Sequence, residues 1–491
     1  MRALWPTLAL DPEETLLSYA DRLSMLHTGR GMERLLKDYG IHREHFVSGR
    51  PDAVAALAEA TGHALEDVGR AAIRVSRWGG EFRGEDCSKS FLSPQAKRYC
   101  PACLEEDGDY TDWRFRLVWG FRHVQRCDRH GLWLAPASRG TATNLRVALN
   151  DVTPATPARA DPASPEYLPW LDNRLQGRTA QETPWMAGQT LEQVLAASEM
   201  IGGILQHGHD VPLTKLSPAK TEEATDIGFS IYKEGRTAIE EALDTIRQSS
   251  QASAVQAGPL AYYGKLFDWL DRRGNAIEPG PIRDILRDHI VKHSAVEPGT
   301  KVLGVEIKER HWHTLQSLSD TVGIERRRLA RLLKSLGELP SDATETESGT
   351  MVFDAVTTLP LVEAFGTAIP LRDLPVYLGG TRSQLEVLYR NGTVQPLIPR
   401  KKRGSVRKVV FARAHLDDLL GQIARLPEMA ASTPGDLHPL SYASQRGAGR
   451  FEVLFAACLA GNIPAFRHPR KTGIGSITVN VGELLAAKAA N

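Results

Sequence analysis

Cys100-Pro101-Ala102-Cys103 and, after a long insert, Cys127-Asp128-Arg129-His130 are the stretch around which the rest of the chain is read. Two residues between ligands let a tight turn aim both side chains at one ion. Zinc prefers four N or S ligands in a tetrahedron, and three thiolates plus one imidazole fill that shell. A filled shell leaves no position for an activated water, so Cys100, Cys103, Cys127 and His130 read as a structural Zn2+ site. The alternative is four unrelated residues at chance spacing. The insert, 104–126, is long for a finger and suits a zinc-ribbon-like or treble-clef-like knuckle. Trp113, Phe115, Trp119 and Phe121 alternate within it among Arg114, Arg116 and Arg122, which predicts a strand. Cys87 lies outside the pattern and reads as a buried thiol.

The chain has 491 residues, too many for one compact core, so two to four domains are expected. A net charge of +1 gives no global field toward nucleic acid, and any such binding must come from local patches. The first ten residues contain a Trp-Pro break and no sustained apolar run, which argues against a signal peptide. No apolar run is long enough to span a bilayer. Four of the five cysteines fall in the metal pattern, which fits a reducing cytoplasm better than a disulfide framework.

Either side of the knuckle the signals are mainly helical. Residues 12–40 place Leu16, Tyr19, Ala20 and Leu23 on one helix face, with Asp11-Pro12 and the early glutamates as the expected start. Residues 52–57 and 65–73 flank Thr61-Gly62, a layout that serves a helix-turn-helix or plain helical packing equally well. Residues 74–99 are a polar bridge into the knuckle, closing a first region, 1–134. The Pro-rich stretch 135–185 reads as a linker with docked pieces. A helical domain is expected over 186–297, with helices around Leu191–Ile201, Ala238–Ile246 and Tyr262–Leu270. His207 and His209, two apart on a helix, are poor metal spacing and read as surface residues.

The C-terminal part carries sharper patterns. In 314–336 a helix with Leu315, Leu318 and Ser319 meets Gly323, which permits a tight turn. A second helix then buries Leu329, Leu332, Leu333 and Leu336. This predicts a helix-turn-helix within 298–345 whose second helix presents Arg326, Arg327 and Arg331 to DNA; the bland alternative is a hairpin with a solvated Arg face. Within 365–425, helix, Gly379-Gly380, helix and Asn391-Gly392 are followed by two apolar runs, 394–398 and 406–411. Between them lies a basic tip, Lys401, Lys402 and Arg403, a wing of a winged-helix-like unit or else a solvated turn. Arg382 starts its second helix. Residues 436–491 repeat that order approximately, with Arg470 and Lys471 at the equivalent tip, a return strand over 474–481 and a closing helix at Leu484-Leu485. The expected fold is thus mainly α and multidomain, with C-terminal helix-turn-helix and winged-helix units.

Together, Pro6, Ser18 and Arg22 within Glu14-Thr15-Leu16-Leu17-Ser18-Tyr19-Ala20-Asp21-Arg22-Leu23, and the pair Cys100-Pro101-Ala102-Cys103 and Cys127-Asp128-Arg129-His130 with Leu134, resemble the TniQ family of transposon target-selection proteins. The resemblance covers roughly the first third of the chain. It implies work beside a DDE transposase and an AAA+ ATPase at a chosen target. Some similar proteins bind an attachment sequence directly through C-terminal helix-turn-helix domains; others, with shorter C-terminal regions, are recruited by an RNA-guided CRISPR effector. The long C-terminal part here is more similar to the direct-binding kind.

The resulting expectation is a DNA-binding adaptor rather than an enzyme. Lys401, Lys402, Arg403, Arg470 and Lys471 would hold phosphates of double-stranded DNA, while Arg326, Arg327 and Arg382 would face base edges. A zinc-containing helix-turn-helix transcription regulator shares nearly every local feature. A metal-dependent nuclease or hydrolase is disfavoured by the closed ligand shell, and the chain has no G-x-x-x-x-G-K-[ST] for ATP.

Overall fold

A computed structural model describes residues 4–77, 79–138, 145–149, 156, 158–161, 163–179, 182–251, 258–272, 277–397, 409–429 and 436–490. It is mainly helical, with short two- and three-stranded sheets. Two compact units emerge: Met1–His293 with Gly299–Ile307, and Ser294–Pro298 with Lys308–Asn491. Among the described residues, no helix is long and apolar enough to cross a membrane.

The first unit begins with five helices, Leu16–Thr28, Met32–Asp38, Arg43–Val47, Pro51–Thr61 and Leu65–Arg70. Leu16, Tyr19, Ala20 and Leu23 face a shared core with Met32, Leu36, Phe46 and Leu57, as their spacing predicts. The first helix starts later than Asp11-Pro12 suggests. Thr15 is its N-cap, accepting from the Ser18 N–H, a role its hydroxyl fills where the earlier glutamates cannot. Arg74–Val75, Gly80–Phe82 and Glu85–Cys87 form a three-stranded antiparallel sheet.

The insert of the knuckle corrects the strand expected there. Leu117–Gly120 is a single 3-10 turn, with only isolated bridges from Arg116 to Glu14 and from Phe121 to Leu92. Phe115 and Trp119 meet edge-on with ring centroids 5.6 Å apart, four residues apart across that turn. Burial of single aromatics in a turn produces the same alternation as a strand.

Within the Pro-rich stretch, Tyr167–Leu175 is a helix with Tyr167 and Leu171 buried, and the Tyr167 hydroxyl donates to the His123 carbonyl at 2.7 Å. Beyond it lie helices Leu191–His207, Pro218–Tyr232, Arg236–Gln248, Pro259–Asp271 and Ile282–His293. The Leu191–His207 and Pro218–Tyr232 helices cross at Gly202 and Gly228. A Cβ on either would lie within 2 Å of a carbonyl oxygen on the other helix, Ala224 O and Ser198 O respectively. His209 is half-buried and not free at the surface: its Nε2 lies 2.9 Å from the Ile246 carbonyl and 3.1 Å from that of Tyr262. It is held by its tertiary partners, which spacing along one helix does not reveal.

The second unit contains one chain order three times: entry strand, helix, helix, return strand, closing helix. The first copy runs Trp312–Thr314, Leu315–Val322, Arg326–Leu336, Val352–Asp354 and Ala355–Gly366, with an extra short helix, Glu345–Thr350, inserted before its return strand. The second runs Ile369–Pro370, Leu374–Leu378, Arg382–Arg390, Val410–Phe411 and Arg413–Ala424. The third runs Leu437–Pro439, Leu440–Gln445, Phe451–Leu459, then Ala465–Arg467 and Ile477–Asn480, and Val481–Ala490. Each entry strand pairs antiparallel with the strand before the closing helix: Trp312 with Asp354, Ile369 with Phe411, Leu437 with Asn480.

In the first copy Leu315, Leu318, Leu329 and Leu333 bury against Phe353 and Val362, so its packing unit extends to Gly366. The second and third copies share one core, with Leu378, Leu385, Leu388 and Phe411 in a single cluster with Phe455, Ile474, Ile477 and Val479. The return strand of the third copy is shorter than 474–481, because Gly473–Ser476 forms a 3-10 turn. That turn seats on the second copy: the Gly475 N–H donates to the Gly379 carbonyl at 2.8 Å.

Candidate metal centre and nucleic-acid interface

In the first unit the two ligand pairs come together. Cys100 is the extended N-cap of helix Pro101–Asp107, so Cys103 lies one turn in and faces the same way. Cys127 and His130 flank the turn of the Arg126–Cys127 and Leu132–Trp133 hairpin, where the Gly131 N–H donates to the Cys127 carbonyl at 2.9 Å. Arg98–Tyr99 pairs with Ala135–Pro136 just outside both motifs and closes the knuckle at its base.

His130 Nδ1 lies 3.5, 3.3 and 3.4 Å from the Sγ atoms of Cys100, Cys103 and Cys127, and Cys103 Sγ lies 3.6 Å from Cys127 Sγ. A tetrahedron with metal–S bonds of about 2.3 Å and metal–N bonds of about 2.0 Å has edges of roughly 3.5–3.8 Å. All three cysteines are buried. The Cys103 and Cys127 side chains hydrogen-bond Cys100 and hold its thiol far below the usual range, while the same contacts push those of Cys103 and Cys127 up. The four donor atoms lie within 4.8 Å of one another. This donor set fits a metal ion.

Glu106 supports the fourth ligand. Its Oε1 lies 3.1 Å from His130 Nε2, and its Oε2 accepts from Arg129 at 2.9 Å. The His130 contact, with Arg129, holds the Glu106 carboxyl below its ordinary value. A carboxylate on Nε2 fixes the tautomer that leaves the Nδ1 lone pair toward the thiols. Cys87 is buried outside this group, and burial pushes its thiol up to about 12.

The knuckle is tied to the first helix through Ser18 and Arg22. Ser18 Oγ donates to Glu14 Oε1 at 2.7 Å and accepts from the Phe115 N–H at 2.9 Å; Arg22 Nε donates to the same carboxylate oxygen at 3.0 Å. The arginines of the insert are likewise structural. Arg114 and Arg116 pair with Asp107, and Arg122 and His123 hold Glu199 at 2.5 and 3.1 Å. Burial alone would raise the Glu199 carboxyl, but His123 and Arg122 outweigh it and hold it low. Arg126 pairs with Glu222.

In the second unit the predicted cations fall in three places. Arg326, Arg327 and Arg331 are exposed on helix Arg326–Leu336. Glu345 lies 3.9 Å from Arg326 and 3.1 Å from Arg327. The segment that holds the place of a wing in this first copy, 337–351, is acidic, with Glu338, Asp342, Glu345 and Glu347. Arg382 is exposed at the start of helix Arg382–Arg390, behind a Thr381–Gln384 capping box. Arg470 and Lys471 are exposed in the turn after Ala465–Arg467. Lys401, Lys402 and Arg403 lie outside the described residues, and the flanking runs are described only to Leu397 and from Val409.

The docked 3-10 turn brings two of these places together. Gly379 and Gly473, at φ +63° and +60°, pack so closely that a Cβ on Gly473 would lie 2.0 Å from the Leu378 carbonyl oxygen. Lys471 therefore sits two residues from a contact that itself lies three residues before Arg382. The turn that follows Arg470 and Lys471 thus packs on the segment that precedes Arg382, a contact that spacing could not show.

Residues 6–134 match a family model described as TniQ, so the N-terminal region carries a TniQ domain. No curated protein matches the chain.

Proposed function

We propose, from the premise that residues 6–134 form a TniQ domain of the DNA-transposition machinery, that this protein is a DNA-binding adaptor that selects a transposition target and recruits an AAA+ ATPase and a transposase to it. The observation that supports the DNA-binding part is the docked turn of the third copy, which packs two residues after Lys471 on Gly379, three residues before the helix start that bears Arg382. Helix starts reach base edges, and basic turns beside them hold phosphates. The long C-terminal unit favours direct reading of DNA over recruitment by an RNA-guided CRISPR effector.

Cys100, Cys103, Cys127 and His130 hold zinc in this reading, with Glu106 behind His130. Bound zinc supplies folding energy and no bond chemistry, because all four positions are taken by protein. The knuckle then fixes the platform on which Glu14, Ser18 and Arg22 join the first helix to the insert. The protein acts through binding energy spent on placement and not as an enzyme.

The test is DNA binding by the full chain across a salt series. Each lost phosphate contact lowers the slope of log affinity against log salt by about 0.9. The R382A/R470A/K471A protein is expected to show a slope shallower by roughly 2 to 3 on that basis. An unchanged slope and affinity would remove this face from the DNA interface.

A further inference from the structure

A second group of metal-binding donors lies in the first unit, far in sequence from the cysteines. Helix Arg236–Gln248 supplies Asp244, and helix Ile282–His293 supplies His289 and His293, four residues apart and so on one face. Asp244 Oδ1 lies 3.1 Å from His289 Nε2 and 3.6 Å from His293 Nε2, and one donor atom from each residue lies within 4.8 Å of the others. The two imidazoles are tilted over each other, with centroids 4.3 Å apart.

We propose that Asp244, His289 and His293 form a second metal site, for a borderline divalent transition cation of the zinc or cobalt kind. Two imidazoles and one carboxylate are the donors such ions take, whereas calcium and magnesium prefer all-oxygen shells. A tetrahedral ion with bonds of about 2.0 Å needs donor separations near 3.3 Å, and both carboxylate–imidazole distances bracket that value.

Simple bracing of the two helices accounts for only part of the arrangement. An Asp244–His289–Tyr263 hydrogen-bond chain would join them, because Tyr263 Oη lies 2.8 Å from His289 Nδ1. His293 has no place in that chain, yet its Nε2 is shut off from solvent without a hydrogen-bond partner. A bound cation accounts for this nitrogen. The Tyr263 hydroxyl can accept from Nδ1–H as well as donate to Nδ1, so its bond survives the tautomer that frees the His289 Nε2 lone pair.

Asp244 is about half exposed, at 47%, so the remaining coordination positions open toward solvent. The cations opposing the site are Lys292 and Arg247, the latter one turn after Asp244 with its Nη2 donating to the His293 carbonyl at 3.2 Å. Their charge makes this the weaker of the two metal sites.

Cobalt(II) titration of the full chain separates the two sites. A Cys3His site gives intense thiolate-to-cobalt charge-transfer bands in the near ultraviolet, and a His2Asp site gives only weak ligand-field bands in the visible. The wild type is expected to take up two equivalents, the first with the thiolate signature. His293→Gln should take up only the first, and Cys103→Ser only the second. One equivalent in the wild type, with thiolate bands, overturns the second site and leaves the cysteine site standing. Two equivalents retained in His293→Gln overturn it as well. Where Cys103→Ser does not fold, the wild type and His293→Gln decide the matter between them.

Discussion

At the scale of single residues, the ligands are legible because each pair needs only local geometry. Cys100-x-x-Cys103 and Cys127-x-x-His130 fix their own turns, and the fold need only bring the turns together. Ser18 and Arg22 illustrate the opposite limit. Their four-residue spacing is visible, but their common partner, Glu14, is buried and accepts from both. Glu345 is a second such partner, invisible from the Arg326-Arg327-Arg328 run it faces. The resulting expectation concerns charge. Surface ion pairs of this kind contribute about 0–1 kcal/mol, so Glu345→Gln should hardly move the melting temperature. It should raise DNA affinity and steepen the salt slope by up to about 0.9 if the first copy touches phosphate. Fluorescence anisotropy across a salt series reads this directly, and an unchanged slope would exclude Arg326 and Arg327 from the DNA face.

At the scale of elements, short-range periodicity identifies helices well and strands poorly. The Leu191–His207 helix follows its apolar spacing, whereas the alternating aromatics around Trp119 sit in a turn. The closing helix of the first copy, Ala355–Gly366, is hidden by Pro360 within it, a residue that normally ends a helix. His289 and His293 carried a readable four-residue spacing, but Asp244 joins them only through packing. The contact between copies depends on two glycines, and it gives a sharp expectation. Gly473→Ala would force a Cβ onto the Leu378 carbonyl from a positive-φ position. It should cost about 1–3 kcal/mol, as overpacking does, seen as a lower denaturation midpoint. Because it also displaces the turn that carries Arg470 and Lys471, DNA affinity should fall although no charge is removed. Retained affinity would separate that turn from the DNA face.

At the scale of the whole molecule, two units carry two kinds of chemistry, the metal ligands in the first and the exposed basic helix start and turn in the second. The threefold repetition of one β–α–α–β–α order was legible only in part. The second and third copies share similar residues, while the first has an acidic segment where the others have basic ones, and so reads differently. The division of chemistry makes a prediction for metal removal. Structural zinc contributes on the order of 10 kcal/mol or more to a small site, so its loss unfolds what surrounds it. Cys103→Ser, or chelation of the wild type, should empty the cysteine site and lower the unfolding temperature of the knuckle, followed by the fluorescence of buried Trp119. The salt slope of DNA binding should be preserved, since the proposed contacts lie on the exposed arginines and lysine of the second unit. Recruitment of the transposition ATPase to DNA should be lost, measured as ATPase retained on immobilised target DNA. A chelated protein that still recruits the ATPase would move the docking role away from the knuckle, and one that loses its DNA affinity would place the DNA contacts in the first unit instead.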